Sequence, residues 1–574
     1  MPRFPIGIDN FCELVKENYL MVDHTLMIRE FVENGDKLSL ILRPRRWGKS
    51  LTLSMLYYFL AINEPGAKNI FDNLKIGIFD GGEFLKKYRA QHPVILISLK
   101  DIKKPTFEGF LSAMANLIRG LYSFYQYLLQ SDQLTPADKK TFTLFLESTA
   151  NQDQLAGSLK TLSELLSKHF GKSAYILIDE YDTPMNFASR DPVELEKITL
   201  FMKTMLGIAL KGNDSLKQGL MTGILRLSKN SMLSDLNNLK VYSSLDKKYS
   251  EFYGFLEEDV NKLFSQCGIT HQAAEIKYWY NGYYSGACVV YNPWSIINCL
   301  SEEGTIKPYW VLTSSDDLIK QAFIHSDTEV REKLSQLLLG EKIEGIIESM
   351  TKFEEINTSS KALCTLLFYA GYLKATKIMQ AGLNYACQLE IPNEEVKYVY
   401  QAIFQEWLER TVGDSNYRNL LNMLCKGEIE VFVEHLNRYL EQSTSFRDFT
   451  KESDYHCFVL GLMSGMMYTH QLESNKEQGF GFSDLTLIPR DKKNALGLIF
   501  EFKHLKKSKG ISNKNLKAAC EDALKQIDEK QYRRIFTREQ HQHVHVVLEV
   551  GMVFLGKSVA IAYQQFDLNT HEIS

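Results

Sequence analysis

The stretch Leu38-Ser39-Leu40-Ile41-Leu42-Arg43-Pro44-Arg45-Arg46-Trp47-Gly48-Lys49-Ser50 decides the fold of the first part of this chain. Its first five residues are an apolar run that predicts a buried strand, and Leu51–Leu60 predicts a helix. The Gly-Lys-Ser turn therefore lies between a strand and a helix, which is the context that a phosphate-binding loop requires. Unpaired N–H groups and the dipole at the start of such a helix favour phosphate oxygens.

These loop residues are candidates for binding ATP together with Mg²⁺. Lys49 would contact the β- and γ-phosphates, and the Ser50 hydroxyl would hold Mg²⁺. The cofactor-binding candidates in this segment are Arg43, Arg46, Trp47, Gly48, Lys49, Ser50 and Leu51. The segment departs from the pattern GxxxxGK(S/T), because Arg43 replaces its first glycine. Arg43, Arg45 and Arg46 would contact phosphate or a partner, or they would form structural ion pairs, and the sequence leaves both open.

A second strand end supplies acidic residues for the same chemistry. The apolar run Ile176-Leu177-Ile178 leads directly into Asp179 and Glu180. Asp179 would hold Mg²⁺ through water, and Glu180 would act as the catalytic group that polarises the attacking water. Arg226 follows another predicted strand, at a position from which it could contact the γ-phosphate. The plain alternative is a surface turn followed by a solvated acidic loop, and Asp182 is interpreted as structural.

Apolar runs and helical spacing alternate through the first half of the chain. Helical spacing covers 107–130 and 153–169, and the pattern predicts strands at Leu38–Leu42, Val94–Leu99, Ala174–Ile178 and Gly219–Ile224. Strands separated by helices predict an α/β domain with a mostly parallel sheet. Residues 350–450 are predicted to be mainly helical, with strand-like pieces at Thr365–Tyr372 and Ala386–Ile391.

The C-terminal part contains a second group of candidate catalytic residues. Phe482–Ile488 and Leu496–Phe502 are predicted strands, and residues two apart on a strand face the same side. Glu501 and Lys503 therefore share a face, and Asp484 on the neighbouring strand would complete two carboxylates and an ammonium. Two carboxylates suit Mg²⁺, and Lys503 would orient water or stabilise developing charge. Alternatively, the pair of strands is an amphipathic hairpin with an ion pair on its wet face.

Other residues around this group are weaker candidates. A helix is predicted before the hairpin, and its Glu452 would add a metal ligand or be a solvated acid. A helix near 515–531 follows, and then apolar strands at Val544–Val550 and 552–563. The basic run Lys506-Lys507-Ser508-Lys509 and the stretch Lys530–Arg534 would contact a nucleic-acid backbone, or they are a solvated loop and helix end.

The bulk composition excludes several classes of protein. The chain has 574 residues, 45% of them hydrophobic, and a net charge of −4, which predicts several globular domains without a uniformly basic surface. Nine cysteines form no CxxC pair, which indicates free thiols in a reducing compartment. The N-terminus has no apolar signal core and no run is long enough to span a membrane, so a cytoplasmic protein is expected.

Taken together, the motifs resemble those of the bacterial AAA-ATPase-like family. The resemblance rests on Val22-Asp23-His24-Thr25, Arg43–Ser50, Leu177–Asp182, Thr222–Arg226 and Tyr280–Tyr283. Members of that family often end in a domain of the PD-(D/E)xK nuclease superfamily. The resemblance implies that Asp484, Glu501 and Lys503 match the superfamily's Asp…Glu-x-Lys arrangement, with Ser483 in place of its usual proline. Gln526, Lys530 and Tyr532 resemble the helix motif that follows.

The resemblance implies an ATP-binding and ATP-hydrolysing protein with a Mg²⁺-dependent nuclease-like domain that acts on nucleic acid, with DNA expected before RNA. The alternatives are a nucleotide-switched binding or scaffold protein, and a regulatory ATPase without nuclease function. A homo-oligomer is compatible with each of these three readings. The implied domains are a P-loop ATPase domain at 1–245, a lid or winged-helix-like region at 246–350, a helical connection at 351–445 and a restriction-endonuclease-like α/β domain at 446–574.

Overall fold

The computed structural model describes residues 2–62, 64–188, 191–225, 233, 236–310, 333–334, 336–337, 340–349, 359–412, 414–442, 459, 462–463, 466, 469–478, 481–505, 513–538, 541–556 and 558–573. These residues fall into two compact units. The first lies within 1–315, 345–388 and 392–395, and the second within 316–344, 389–391 and 396–574. The boundaries of the four domains expected from the sequence remain predictions.

A five-stranded parallel sheet forms the centre of the first unit. Its strands in chain order are β1 Leu38–Leu42, β2 Val94–Ser98, β3 Ala174–Asp179, β4 Leu216–Gly223 and β5 Leu239–Tyr242. Their spatial order is β2-β3-β4-β1-β5, and every neighbouring pair is parallel. All residues of β1 and β3 are buried, which is why both strands read as unbroken apolar runs rather than as alternating ones.

Helices pack around this sheet. Those of its part of the chain are α1 Phe11–Lys16, α2 Leu26–Glu33, α3 Lys49–Leu60, α4 Lys75–Ile78, α5 Glu83–Tyr88, α6 Phe107–Phe124, α7 Pro136–Leu146, α8 Gln152–Phe170, α9 Thr183–Ala188 and α10 Pro192–Leu210. Several begin at a side chain that caps the first turn. Thr135 and Asn151 each form a reciprocal capping box, and Asp191 accepts from two backbone N–H groups of α10.

A second cluster of the first unit follows the sheet in sequence. It contains α11 Glu257–Cys267, α12 Ala273–Tyr280, α13 Pro293–Ser301 and the hairpin of β6 Tyr283–Ser285 and β7 Cys288–Val290. Its core is apolar and aromatic, and it includes the fully buried rings of Tyr280 and Tyr291. After it come β8 Ile343–Ile347, α14 Ser360–Tyr369, β9 Lys374–Ala381 and β10 Asn384–Glu390, whose strands form a sheet in the order β8-β10-β9.

The remaining elements belong mainly to the second unit. Its helices are α15 Glu394–Val412, α16 Asp414–Cys425, α17 Ile429–Gln442 and α18 Asn513–Glu529. Its mixed sheet contains β11 His470–Gln478, β12 Gly481–Pro489, β13 Leu496–His504, β14 Val546–Leu555 and β15 Ser558–Asp567 in sequential order. Only the pair β13–β14 is parallel. The predicted fold class is therefore confirmed: a parallel P-loop-like sheet, a largely helical middle and a mixed C-terminal sheet.

The structure corrects one predicted element and adds six strands. Thr365–Tyr372 is not a strand, because α14 covers most of it and buries its apolar side chains on all sides. A short apolar run of this kind fits a buried helix as well as a buried strand. The strands β5 to β9 and β11 were not predicted. Among them β5 is short, and β9 is largely exposed, with apolar and polar side chains alike. No helix among the described residues is long and apolar enough to cross a membrane.

We predict that Gly223→Ala lowers the free energy of unfolding of the protein by about 1–3 kcal/mol, because the core around the end of β4 has no room for a methyl group. A Cβ at Gly223 would lie 2.5 Å from the Tyr181 ring and 2.9 Å from Asp182 Oδ1. Urea unfolding measures the change.

The matched control is Gly157→Ala in α8, where a Cβ would meet no atom within 4 Å. Alanine favours a helix over glycine by up to about 1 kcal/mol, so this variant is expected to be as stable as the parent or more so. Equal stability of the two variants would contradict the packing argument.

Candidate functional site

The first candidate site lies where β1 ends and α3 begins. The turn between them passes through Gly48, whose φ of 76° lies in the left-handed region that glycine adopts without strain. The Lys49 ammonium turns back across the loop and donates to the carbonyl oxygens of Arg43 at 3.2 Å and Pro44 at 2.9 Å. Lys49 is buried, and burial lowers its pKa while the nearby carboxylates of Glu180 and Asp179 oppose that shift. Leu51 is half-buried in the first turn of α3.

The loop and the end of β3 meet at one carboxylate. The Ser50 hydroxyl donates to Asp179 Oδ2 at 2.6 Å, and the Thr222 hydroxyl of β4 donates to Oδ1 at 2.7 Å. Ser98, at the end of β2, lies 3.4 Å from Oδ2. A hydroxyl and a carboxylate this close are hard oxygen donors of the kind that Mg²⁺ prefers, so the residues fit the expected ion.

Glu180 and Asp182 differ in their surroundings. Glu180 has a positive φ of 49°. This backbone conformation is uncommon for residues other than glycine and is often found at functional sites. Its Oε2 accepts from the Thr183 hydroxyl at 3.1 Å. Asp182 is buried, and its Oδ2 accepts from the backbone N–H groups of Ile224 at 2.9 Å and Leu225 at 3.0 Å. Burial raises the pKa of Asp182, and its bonds to backbone support the structural role that the sequence suggested.

The arginines of the loop are held by carbonyls and rings. Arg43 is buried, and its Nη1 donates to Leu42 O at 2.8 Å while its guanidinium lies 5.1 Å from the Tyr253 ring centre. Burial lowers the pKa of Arg43 to about 10. Carbonyl and ring contacts thus take the place of the ion pair that was the structural alternative for Arg43.

The next residues of the loop contact aromatic rings. Arg46 has a φ of 66°, and its guanidinium lies 4.2 Å from the Trp294 ring centre. Trp47 is buried and packs edge-on against Tyr283, with 5.1 Å between the ring centres. For Arg43, Arg46 and Trp47, contact with a nucleotide remains a prediction.

The second candidate site lies on β12 and β13. These strands are antiparallel with Leu485 opposite Phe500, so the same register carried one residue further places Asp484 opposite Glu501. Residues opposite each other in a ladder share a face. Asp484 Oδ2 accepts from the backbone N–H of Phe502 at 2.7 Å, which fixes the carboxylate beside β13. The structure thus brings Asp484 and Glu501 together as the sequence predicted, and Lys503 follows on the same side.

Helix α18 covers this face and contributes to the site. The side-chain amide of Gln526 donates to Glu501 Oε1, and Glu501 is buried. Tyr532 lies next to them, and its pKa is raised by burial first and also by the charges of Glu501 and Asp484. Gly551 of β14 pairs with Glu501, and a Cβ there would lie 2.4 Å from Cys520 O of α18. Only glycine at this position lets the helix approach closely enough for Gln526 to reach Glu501.

The donor set of this second site is small but chemically suitable for Mg²⁺. Asp484 and Glu501 supply carboxylate oxygens, which are the hard ligands that this ion prefers. Within the part of the chain that the structure describes, no group of three or more His, Cys, Asp or Glu side chains could hold a metal. The two carboxylates would therefore share the ion with water and phosphate oxygens, as is usual for Mg²⁺.

Some predicted residues lie outside the described part of the chain, and some contacts were missed. Arg226, Glu452 and the run 506–509 are outside the described residues. Sequence reasoning did not single out Thr222. It named Gln526 only through the resemblance and did not assign its contact with Glu501. The contact of Thr222 could have been found, because a threonine near the end of a strand beside the Asp179 strand is a usable signal. The contact of Gln526 could not, because it depends on how closely α18 packs.

Comparison with known proteins gives family matches to both parts of the chain. Residues 5–233 match the family model described as a predicted AAA-ATPase, and residues 450–564 match that of the PD-(D/E)XK nuclease superfamily. The chain therefore carries an AAA-ATPase-like domain at its N-terminal end and a PD-(D/E)XK superfamily domain at its C-terminal end, which confirms the resemblance inferred from the motifs.

Two individual proteins are also similar to this chain. An uncharacterized protein from the vnfD 5′ region of Azotobacter chroococcum mcd 1 is 27% identical over 396 residues, which cover 69% of this chain and 68% of that protein. Among solved structures, a Walker-type ATPase of Pyrococcus abyssi aligns with a TM-score of 0.36 and 14% identity, covering 70% of this chain and 98% of that one.

Proposed function

We propose that this chain, with its AAA-ATPase-like domain and its PD-(D/E)XK superfamily domain, hydrolyses ATP at the loop 43–50 and cleaves nucleic acid at Asp484, Glu501 and Lys503. The observation that carries the first part is the hydrogen bond of 2.6 Å between Ser50 Oγ and Asp179 Oδ2. It joins a loop hydroxyl to a strand-end carboxylate, which are the two protein groups that hold Mg²⁺ beside a triphosphate in P-loop proteins.

The residues around the loop divide the work of phosphoryl transfer. The N–H groups at the start of α3 and the Lys49 ammonium would bind and orient the phosphate oxygens. Lys49 already donates to two loop carbonyls, so an ammonium with three donors keeps one for phosphate. Glu180, directly after Asp179, would accept a proton from the attacking water. Mg²⁺, when bound near Ser50 and Asp179, would neutralise charge on the phosphate oxygens.

The second site supports phosphodiester hydrolysis. Asp484 and Glu501 would hold Mg²⁺, which supplies positive charge where the phosphate becomes more negative. Gln526 fixes one oxygen of Glu501 and so sets the direction of the other. Lys503, on the same strand face, would place its ammonium near the scissile phosphate. Lys530 and Arg534 are exposed just beyond α18 and would contact the backbone of the nucleic acid, for which we expect DNA before RNA.

A non-catalytic switch is the second candidate function, because of Arg43. A glycine is usual at this loop position, whereas Arg43 is buried with its guanidinium against backbone carbonyls and Tyr253. A loop fixed in this way could bind nucleotide without turnover and regulate a partner-binding surface. We place either protein in the cytoplasm, where the free cysteines found among the described residues would stay reduced, and leave a homo-oligomer open.

We predict that Lys49→Ala weakens binding of a fluorescent ATP analogue by roughly tenfold or more, because a charge-assisted hydrogen bond to phosphate is lost. Fluorescence titration measures the dissociation constant. The control is Lys140→Ala, an exposed lysine of α7, which should bind as the parent does. An unchanged dissociation constant in Lys49→Ala would remove the phosphate-site assignment.

We predict that Glu180→Gln slows ATP hydrolysis by about 10²–10⁴-fold, because the amide cannot accept the proton of the attacking water. Binding of the analogue should change little, since the replacement has the same shape. Phosphate release measures the rate, with the exposed Glu196→Gln of α10 as the control. Hydrolysis at the parental rate would show that Glu180 is not the base, and no turnover in the parent would favour the switch.

We predict that Asp484→Ala and Glu501→Ala weaken Mg²⁺ or Mn²⁺ binding, whereas Lys503→Ala keeps metal binding and loses about 10²–10³-fold in the rate of strand cleavage. The reason is that the carboxylates hold the metal and the ammonium stabilises only the transition state. Metal titration and cleavage of DNA and RNA, each with and without ATP, measure the two effects.

The control for this series is Glu529→Ala. Glu529 is an exposed acid at the end of α18 that pairs with Lys525 at the surface. It should bind metal and cleave as the parent does. If all three site variants also cleave like the parent, the activity belongs to another site or to a contaminant.

A further inference from the structure

Three of the five tryptophans of the chain lie around the phosphate loop. Trp47 belongs to the loop, whereas Trp294 and Trp310 come from residues that follow the sheet. The indole N–H of Trp310 donates to Arg45 O at 3.3 Å, and the Trp294 ring lies 4.2 Å under the Arg46 guanidinium. Two indoles from outside the matched segment 5–233 therefore hold consecutive residues of the loop.

One buried carboxylate connects the positions of both indoles. Glu395 has no exposed surface, and its Oε1 accepts from the backbone N–H of Trp310 at 2.9 Å. Its Oε2 accepts from the hydroxyl of Ser295, next to Trp294, at 2.7 Å. Each oxygen of one side chain thus fixes the backbone or the neighbour of a tryptophan that contacts the loop.

The surroundings of Glu395 contain hydrogen-bond donors rather than an opposite charge. The ionisable side chains of the described residues that face it are Tyr280, Tyr283, Cys299 and Tyr309, and burial raises the pKa of each, so all four stay neutral. Burial raises the pKa of Glu395 itself to about 7, and its hydrogen bonds from Trp310, Ser295 and the Tyr309 backbone oppose that rise. A carboxyl kept at this cost of burial is expected to have a specific role.

We propose that Glu395 is a positioning residue of the phosphate loop: it fixes Trp310 and Trp294, which hold Arg45 and Arg46 in the conformation that receives phosphate. The left-handed φ of Arg46 supports this, because a non-glycine residue keeps such a conformation only where its surroundings enforce it. The inference rests on the proposed nucleotide site. It concerns Glu395, which is far from the loop in sequence and would act without touching the nucleotide.

The first test is made without nucleotide, by hydrogen–deuterium exchange of the full chain. Glu395→Ala removes both acceptors, so amides in peptides covering 43–50 should exchange faster than in the parent. Asp259→Asn is the matched control, because Asp259 is another buried acid of this unit that accepts from a backbone N–H, that of Leu256. It should leave exchange in 43–50 unchanged even where it lowers global stability.

The second test uses binding of a fluorescent ATP analogue. Glu395→Ala should weaken binding by roughly tenfold, the effect of losing about one to two net hydrogen bonds. Glu395→Gln keeps the shape and one acceptor for the Trp310 N–H, so it should restore part of the affinity. Ser295→Ala, which removes one bond only, should lie between the parent and Glu395→Ala.

A pH profile separates positioning from general stability. Protonation turns one carboxylate oxygen of Glu395 from an acceptor into a donor, so the parent should lose affinity relative to Glu395→Gln as pH falls from about 8 to about 6. Taking the ratio of the two proteins' dissociation constants at each pH cancels the effect of the nucleotide's own titration. A ratio that does not change with pH would contradict the proposed role of the carboxylate.

The outcomes also separate this inference from the proposed function. If the parent binds the analogue and Lys49→Ala does not, the nucleotide site stands whatever Glu395 does. If Glu395→Ala then binds like the parent and its loop exchanges no faster, the positioning role is overturned. If the parent binds no nucleotide, the nucleotide site fails. Faster loop exchange in Glu395→Ala would then still support the positioning of the loop by Glu395.

Discussion

The bond between Ser50 and Asp179 depends on how the parallel sheet aligns its strand ends. Parallel strands end at the same edge of a sheet, so groups at or just beyond the ends of β1, β3 and β4 meet there although they are far apart in sequence. Thr222 completes the arrangement by donating to the other oxygen of Asp179. With both oxygens of Asp179 engaged, the loop and the acidic strand end are fixed relative to each other before any ligand arrives.

Much of the fold could be predicted because burial leaves a strong mark on the sequence. The strands β1 and β3 are buried on both faces and read as continuous apolar runs, so their bounds agree closely with prediction. The same signal failed at Thr365–Tyr372, since α14 is a helix buried all round and carries an equally continuous run. The strand β9 exposes apolar side chains such as Ile378 and Met379 beside polar ones, so it showed no alternating pattern to read.

The candidate sites were predictable where the chemistry is local in sequence. Lys49 and Ser50 are adjacent, Asp179 ends an apolar run, and Glu501 and Lys503 share a strand face by alternation. The pairing of Asp484 with Glu501 required a register, which the sequence suggested and the ladder supplies. The resemblance pointed to Gln526 but not to its bond with Glu501, and nothing in the sequence pointed to Glu395. Both contacts depend on how closely elements distant in sequence pack.

The grouping of Trp47, Trp294 and Trp310 around one loop has an optical consequence. Indole emission responds to nearby charges and to changes of polarity, and these three rings lie on or against the loop residues proposed to bind phosphate. The ultraviolet emission of the unmodified protein is therefore weighted toward this one place in the chain. An attached dye is unnecessary, since one indole belongs to the loop and two others contact it.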